Sequence, residues 1–194
     1  ARLRNEILLA AAAPLEDLVG SAQAHDAKRT DKAIAAIQAQ AAQVVALLDP
    51  TARRRFERHL DSLRQAHDAG NEFAAAMAAV EAYRVLILSL DASALTIPVQ
   101  VDELDYDSLK AGLLADSATP DWPALTRVTA DAHKIWTGIQ DEVRNDALRH
   151  LTEIAITSMY RAAGRRDAQM VHCAAQFTGA AVDLLEQQYP LWRR

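Results

Sequence analysis

Apolar residues recur along this chain at the spacing of a helix. Ile34, Ile37, Ala41, Val44, Val45 and Leu48 fall at i, i+3, i+4 and i+7 intervals, so they share one helical face, and the pattern predicts one long helix from about Leu15 to Leu48. Asp49-Pro50 ends it, with Asp49 as the N-cap of the next helix and Pro50 at its first position, where the missing N–H costs nothing. That second helix carries Phe56, Leu60, Leu63 and His67 on one stripe and runs to the Asp68-Ala69-Gly70-Asn71 break. A third, striped by Phe73, Met77, Val80, Arg84, Ile87 and Leu88, stops near Asp91.

From Asp91 to Pro123 the pattern changes. Ile97-Pro98, the acidic Asp102-Glu103-Leu104-Asp105 stretch and Thr119-Pro120-Asp121-Trp122-Pro123 read as an irregular connector, with extended pieces at 95–97 and 99–101 and a short helix at about Ser108 to Ala115. Helical stripes then resume: Leu125, Val128, Ala132, Ile135, Trp136 and Ile139; Leu148, Leu151, Ile154, Ala155 and Met159; Met170, Cys173, Ala174, Phe177, Ala181 and Leu184. The expected fold is all-α, a single domain over 1–194 built as an antiparallel bundle of about six helices.

The two sets of three helices resemble each other. A shift of 91 residues places Ile34 on Leu125, Ile37 on Val128, Ala41 on Ala132 and Arg58-His59-Leu60 on Arg149-His150-Leu151; beyond these a three-residue insertion brings Ala69-Gly70 onto Ala163-Gly164. The expected organisation is a first unit at 31–90, the connector at 91–121 and a second unit at 122–188, related by an approximate internal two-fold. Duplication and shared helical periodicity both account for these matches.

Composition strengthens the helical reading. Alanine makes up 41 of the 194 residues, and aromatic residues only 5%. Alanine is the best helix former, whereas sheets favour β-branched and aromatic side chains. Small residues around Met77 and Phe177 let helices approach closely and leave little internal volume for a bulky cofactor. A net charge of −5, from 21 basic and 26 acidic residues, argues against a general nucleic-acid binder, whose affinity comes from phosphate neutralisation. No stretch reaches the ~18 apolar residues needed for a membrane span; the run from Ile7 to Ala13 is short and is followed by Pro14. The single Cys173 forms no intrachain disulfide. Because the sequence begins at Ala1 instead of Met, it reads as a processed bacterial protein, periplasmic or secreted, with the cytoplasm as the alternative.

Signatures for covalent haem, HExxH zinc, a phosphate loop or a nucleophile elbow are missing, and no histidine follows a glutamate by three residues as in di-metal carboxylate bundles. What remains is polar residues on apolar stripes. Arg84 on the stripe of the third helix, with Glu81 three residues before it, reads either as a structural ion pair or as a planar fork offered to a carboxylate or phosphate ligand. His59 and His150 hold matching places under the 91-residue shift and, with His67, are candidate ligands for Cu, Zn or Ni; otherwise they are boundary histidines bonded to neighbouring helices. Haem bound through histidine with Met77 or Met159 is a further alternative. His25 and His133 are expected in solvent.

The leading functional expectation is therefore a non-enzymatic binding protein that holds a metal ion or small ligand through histidines at the core boundary. The alternative from another class is a ligand-free interaction or assembly module that meets a protein partner through the connector and the Tyr189-to-Trp192 tail. An enzyme ranks last, because no nucleophile and base pair is evident.

Overall fold

The computed structural model describes residues 1–192, with side chains through Tyr189. Its eight helices are α1 (Arg2–Gln23), α2 (Ala27–Leu47), α3 (Pro50–Asp68), α4 (Glu72–Ile87), α5 (Val99–Asp116), α6 (Trp122–Ile139), α7 (Asp146–Gly164) and α8 (Ala168–Trp192), with 3-10 turns at Ala92–Ala94 and Gln140–Glu142. Among the described residues there is no strand, and no helix is long and apolar enough to cross a membrane. The contacts gather into two compact units, Ala1–Leu95 and Thr96–Arg194. Each unit has four helices.

Local chemistry sets the helix ends. Asp26, Asp49, Asn71, Asp121 and Asn145 each accept backbone N–H groups at the start of the next helix; Asp49 Oδ1 takes Thr51 N at 2.8 Å and Ala52 N at 3.0 Å. Three hairpins share one turn. At α1/α2, α3/α4 and α7/α8 a left-handed residue, His25 (φ 53°), Gly70 (φ 70°) or Arg166 (φ 56°), is followed directly by the capping residue of the next helix. The backbone N–H of Asp26, Asn71 and Asp167 returns to the carbonyl of Ser21, Ala66 and Ala162, which closes each helix in Schellman fashion.

That turn corrects the expected 15–48 helix. Helix α1 starts at Arg2, passes through buried Pro14 and ends at Gln23; α2 is separate, because His25 leaves the helical region and Asp26 caps anew. The connector is corrected as well. Residues 99–116 form α5, whose Val101, Leu104, Ala111 and Leu113 lie in the core of the second unit. The chain from Tyr189 to Trp192 continues α8 and is no separate tail; Tyr189 is buried, and the side chains of 190–192 lie outside the described residues.

Each unit has four helices, and the residues that cap them recur along the chain at nearly constant spacing. Cap Asp26 matches Asp121, 95 residues on, and Asp49 and Asn71 match Asn145 and Asp167, 96 residues on. With those spacings, Thr30, Ala33, Ile34, Ile37 and Val44 of α2 fall on Leu125, Val128, Thr129, Ala132 and Ile139 of α6, all buried. Likewise Leu8, Leu15 and Leu18 of α1 fall on Leu104, Ala111 and Leu114 of α5. In both units the first helix packs on the second and fourth, and the third on the fourth. They differ at one seam: α6 packs along α7, whereas α2 and α3 barely touch.

Candidate functional site

Helices α3 and α4 form a hairpin whose outer faces flank a cleft of about 500 Å³. From α3 come Thr51, Ala52, Arg55, Arg58 and His59, and from α4 come Glu81, Arg84, Val85, Leu88 and Ser89. Both sets follow the 3–4 spacing that keeps side chains on one helical face. Three guanidinium groups therefore line the cleft, against two carboxylates, those of Glu81 and of the capping Asp49.

The end of the cleft is fixed from α1. Arg4 donates to the Leu47 carbonyl (3.2 Å) and the Ser89 carbonyl (2.6 Å), satisfying C-terminal oxygens of α2 and of the turn after α4. Asn5 exchanges two 2.9 Å hydrogen bonds with the Asp91 backbone. The Asp49 carboxylate is held below its ordinary range by the Ala52 and Thr51 backbone N–H groups, with Arg4 and Arg55 adding to the effect. Burial pushes the His59 pKa down; Glu81 pulls it back, and Arg58 and Arg55 reinforce the lowering. His59 thus presents a neutral ring, one donor and one acceptor, beside the arginines. Ser89 Oγ donates to the Val85 carbonyl at 2.7 Å.

Arg84 and Glu81 line this cleft, but not as residues of a core stripe. Arg84 is exposed, and so are Phe73 and Leu88 of the stripe assigned to α4. Of that stripe Val80 and Ile87 are buried, and they are joined on the buried face by alanines 75, 76, 78, 79 and 82 with Tyr83, Val85 and Leu86. The stripes expected on α7 and α8 hold in part. Leu148, Ala155, Met159, Ala174 and Ala181 are buried, but Leu151, Ile154, Met170, Phe177 and Leu184 are exposed, and Ala162, Val171, Ala175 and Val182 are buried in addition. Alanine takes the packing face because two backbones approach most closely across it, a signal that a scan for large apolar residues passes over.

The two candidate metal ligands on α3 stand apart. His59 and His67 are eight residues apart on α3, a rise of about 12 Å. His67 stands between Asp31 of α2 (3.3 Å) and Glu72 of α4 (3.4 Å), and His150 is an exposed residue of α7. Counted from the caps of their helices, His59 stands ten residues after Asp49 and His150 five after Asn145. Glu153, one turn after His150, is occupied by the Trp136 indole N–H and by the Thr157 hydroxyl at 2.9 Å. Among the described residues no group of three or more His, Cys, Asp or Glu is placed to hold a metal ion. His133, expected in solvent, stacks on Tyr160 with ring centroids 5.1 Å apart.

Sequence reasoning also missed an acidic cluster in the second unit. Asp102 of α5 and Glu186 of α8 each have a pKa pushed up to about 7, first by burial. Asp105 then Glu103 add to the shift of Asp102; Asp105, Asp102 and Asp183 add to that of Glu186. Reading 99–101 as extended chain hid this cluster, because only a continuous helix places Asp102 and Asp105 on one face. In comparisons with known proteins, no family model, no curated protein and no solved structure matches this chain.

Proposed function

We propose that this is a non-enzymatic helical binding protein whose α3/α4 cleft takes a small anion carrying carboxylate or phosphate groups, and that its two four-helix units arose by duplication. The observation that carries the reading is the convergence of Arg55, Arg58 and Arg84 with a neutral His59 in one cleft of about 500 Å³. Planar guanidinium forks match the geometry of carboxylate and phosphate oxygens, and hydrogen bonds between charged partners are the stronger ones. Glu81 and Asp49 confine the positive charge to one part of the cleft, which favours a compact anion over an extended polyanion. The size lies within the roughly 300–1,000 Å³ common to small-molecule sites. The overall charge of −5 further disfavours a polyanionic partner such as nucleic acid.

Calorimetric titration of the full chain with inorganic phosphate, succinate and citrate tests the proposal. Saturable binding of at least one anion is expected, weakened in Arg58→Ala and in Arg55→Ala. Binding that both substitutions leave unchanged, or no saturable heat with any of the three, would overturn it.

A further inference from the structure

The opposite side of α3 holds a second opening, independent of the anion cleft. Between α2 and α3 lies a cleft of about 370 Å³, walled by Ile34, Ile37 and Ala41 on one side and by Leu60 and Leu63 on the other, with Arg64 at its rim. Arg64 pairs with Asp61 on its own helix. The walls are apolar because these residues form the inward stripes of two helices that nonetheless barely touch.

The second unit shows what closes such a seam. Ala41 corresponds to Trp136 of α6, which is 0% exposed, and the walls correspond to buried Thr129, Ala132, Ile156 and Met159 of α6 and α7. There the indole fills the space between the helices and its N–H donates to Glu153. The stack of His133 on Tyr160 stands at the positions of Gln38 and Arg64. The same helix pair is thus plugged by an aromatic ring in one unit and left open by a methyl group in the other.

We propose that the α2/α3 cleft binds a small apolar aromatic molecule of about the size of an indole ring, seated where Trp136 places its own ring in the second unit. Ile34, Ile37 and Leu63 are already buried, so a ligand gains chiefly by packing a flat ring against them and by covering the half-exposed Ala41 and Leu60. The volume lies at the lower end of the range for small-molecule sites, which suits one bicyclic ring and excludes a haem-sized group.

Calorimetric titration with indole of the full chain and of Ala41→Trp tests this. The unsubstituted chain is expected to bind one indole saturably. Ala41→Trp, which supplies the ring covalently, is expected to bind it at least about tenfold more weakly and to melt no lower. In NMR spectra the signals of Ile34, Ile37 and Leu63 should move on adding indole, while those of Thr51 and Ser89 in the anion cleft stay in place. Should Ala41→Trp fail to fold, Ala41→Leu is a smaller plug that should weaken binding several-fold. Absence of saturable binding up to the solubility of indole, equal binding by the plugged and open chains, or shifts confined to the anion cleft would each overturn the proposal.

Discussion

The helical hairpins α3/α4 and α7/α8 share a turn, a cap and a buried face, yet their outer faces have opposite chemistry. At the observed spacing Arg55, Arg58, Glu81 and Arg84 of the first unit fall on Leu151, Ile154, Phe177 and Ala180 of the second. The first set lines a charged cleft; in the second set Phe177 is 70% exposed and Leu151 58%. The α2/α3 and α6/α7 seams differ in the same spirit, one open around Ala41 and the other filled by Trp136. What the two units have in common is what makes them fold: cap positions and small buried residues. What separates them lies on the outer faces of the hairpins, where substitution is cheap and where ligands bind, and in the filling of one buried helix seam.

The contrast between the seams predicts the largest energetic effect. Trp136→Ala turns the filled seam into the open one and leaves the Glu153 carboxylate without its indole donor, so denaturant unfolding should show a loss of about 3–5 kcal/mol. A loss below about 1 kcal/mol would mean that the ring does not support the second unit. Next comes the charge of the outer faces. Arg58→Ala should weaken anion binding by roughly tenfold or more, as removal of a hydrogen bond to a charged group typically does, whereas substitution of its counterpart, Ile154→Ala, should leave binding unchanged by calorimetry.

The units should also respond to pH with opposite signs. Raised pKa values of Asp102 and Glu186 mean that the folded second unit holds protons the unfolded chain releases; the resulting stability is whole at acid pH and is lost as pH rises from the unfolded values of 3.8 and 4.5 toward about 7. His59, with its lowered pKa, gives stability that is whole above its unfolded value of 6.5 and is lost as pH falls below it. Asp102→Asn should flatten the first dependence, adding about 1–2 kcal/mol at pH 8 in urea unfolding; an unaltered pH profile would contradict the shift. The smallest effect belongs to the turns. Gly70→Ala, in a left-handed position, should cost about 1 kcal/mol, while Arg166→Gly at the matching turn should change thermal stability by only a few tenths, because relief of strain offsets backbone entropy.

Much of the architecture was legible in the chain. Asp49-Pro50 marks the start of α3, and Asn71, Asp121 and Asn145 sit where later helices begin, since capping chemistry is local. The 91-residue shift differs from the 95-residue spacing of the caps Asp26 and Asp121 by four, close to one helical turn, and stripes of period 3.6 match almost as well when displaced by a turn. Reading α5 as connector left three helices in each half instead of four. The stripes of α4, α7 and α8 were right at Val80, Ile87, Leu148, Ala155, Met159, Ala174 and Ala181 and wrong at Phe73, Leu88, Leu151, Ile154, Met170, Phe177 and Leu184, which face outward while further alanines pack inward. Arg84, Glu81 and His59 still emerged as candidates, since polar residues among apolar ones stand out whichever face is buried; Arg55 and Arg58 did not, because nothing local shows that α3 and α4 bring them together.

The claim that one hairpin scaffold carries a ligand face only in the first unit is tested most directly by an amide-resolved NMR titration of the full chain with inorganic phosphate, succinate or citrate, whichever binds most tightly. Saturable shifts should gather at Thr51–His59 and Glu81–Ser89, with the matching segments Ala147–Ala155 and Phe177–Leu185 unmoved. Equal shifts in both hairpins, or shifts confined to α7 and α8, would contradict the assignment of the ligand face to the arginine-lined cleft.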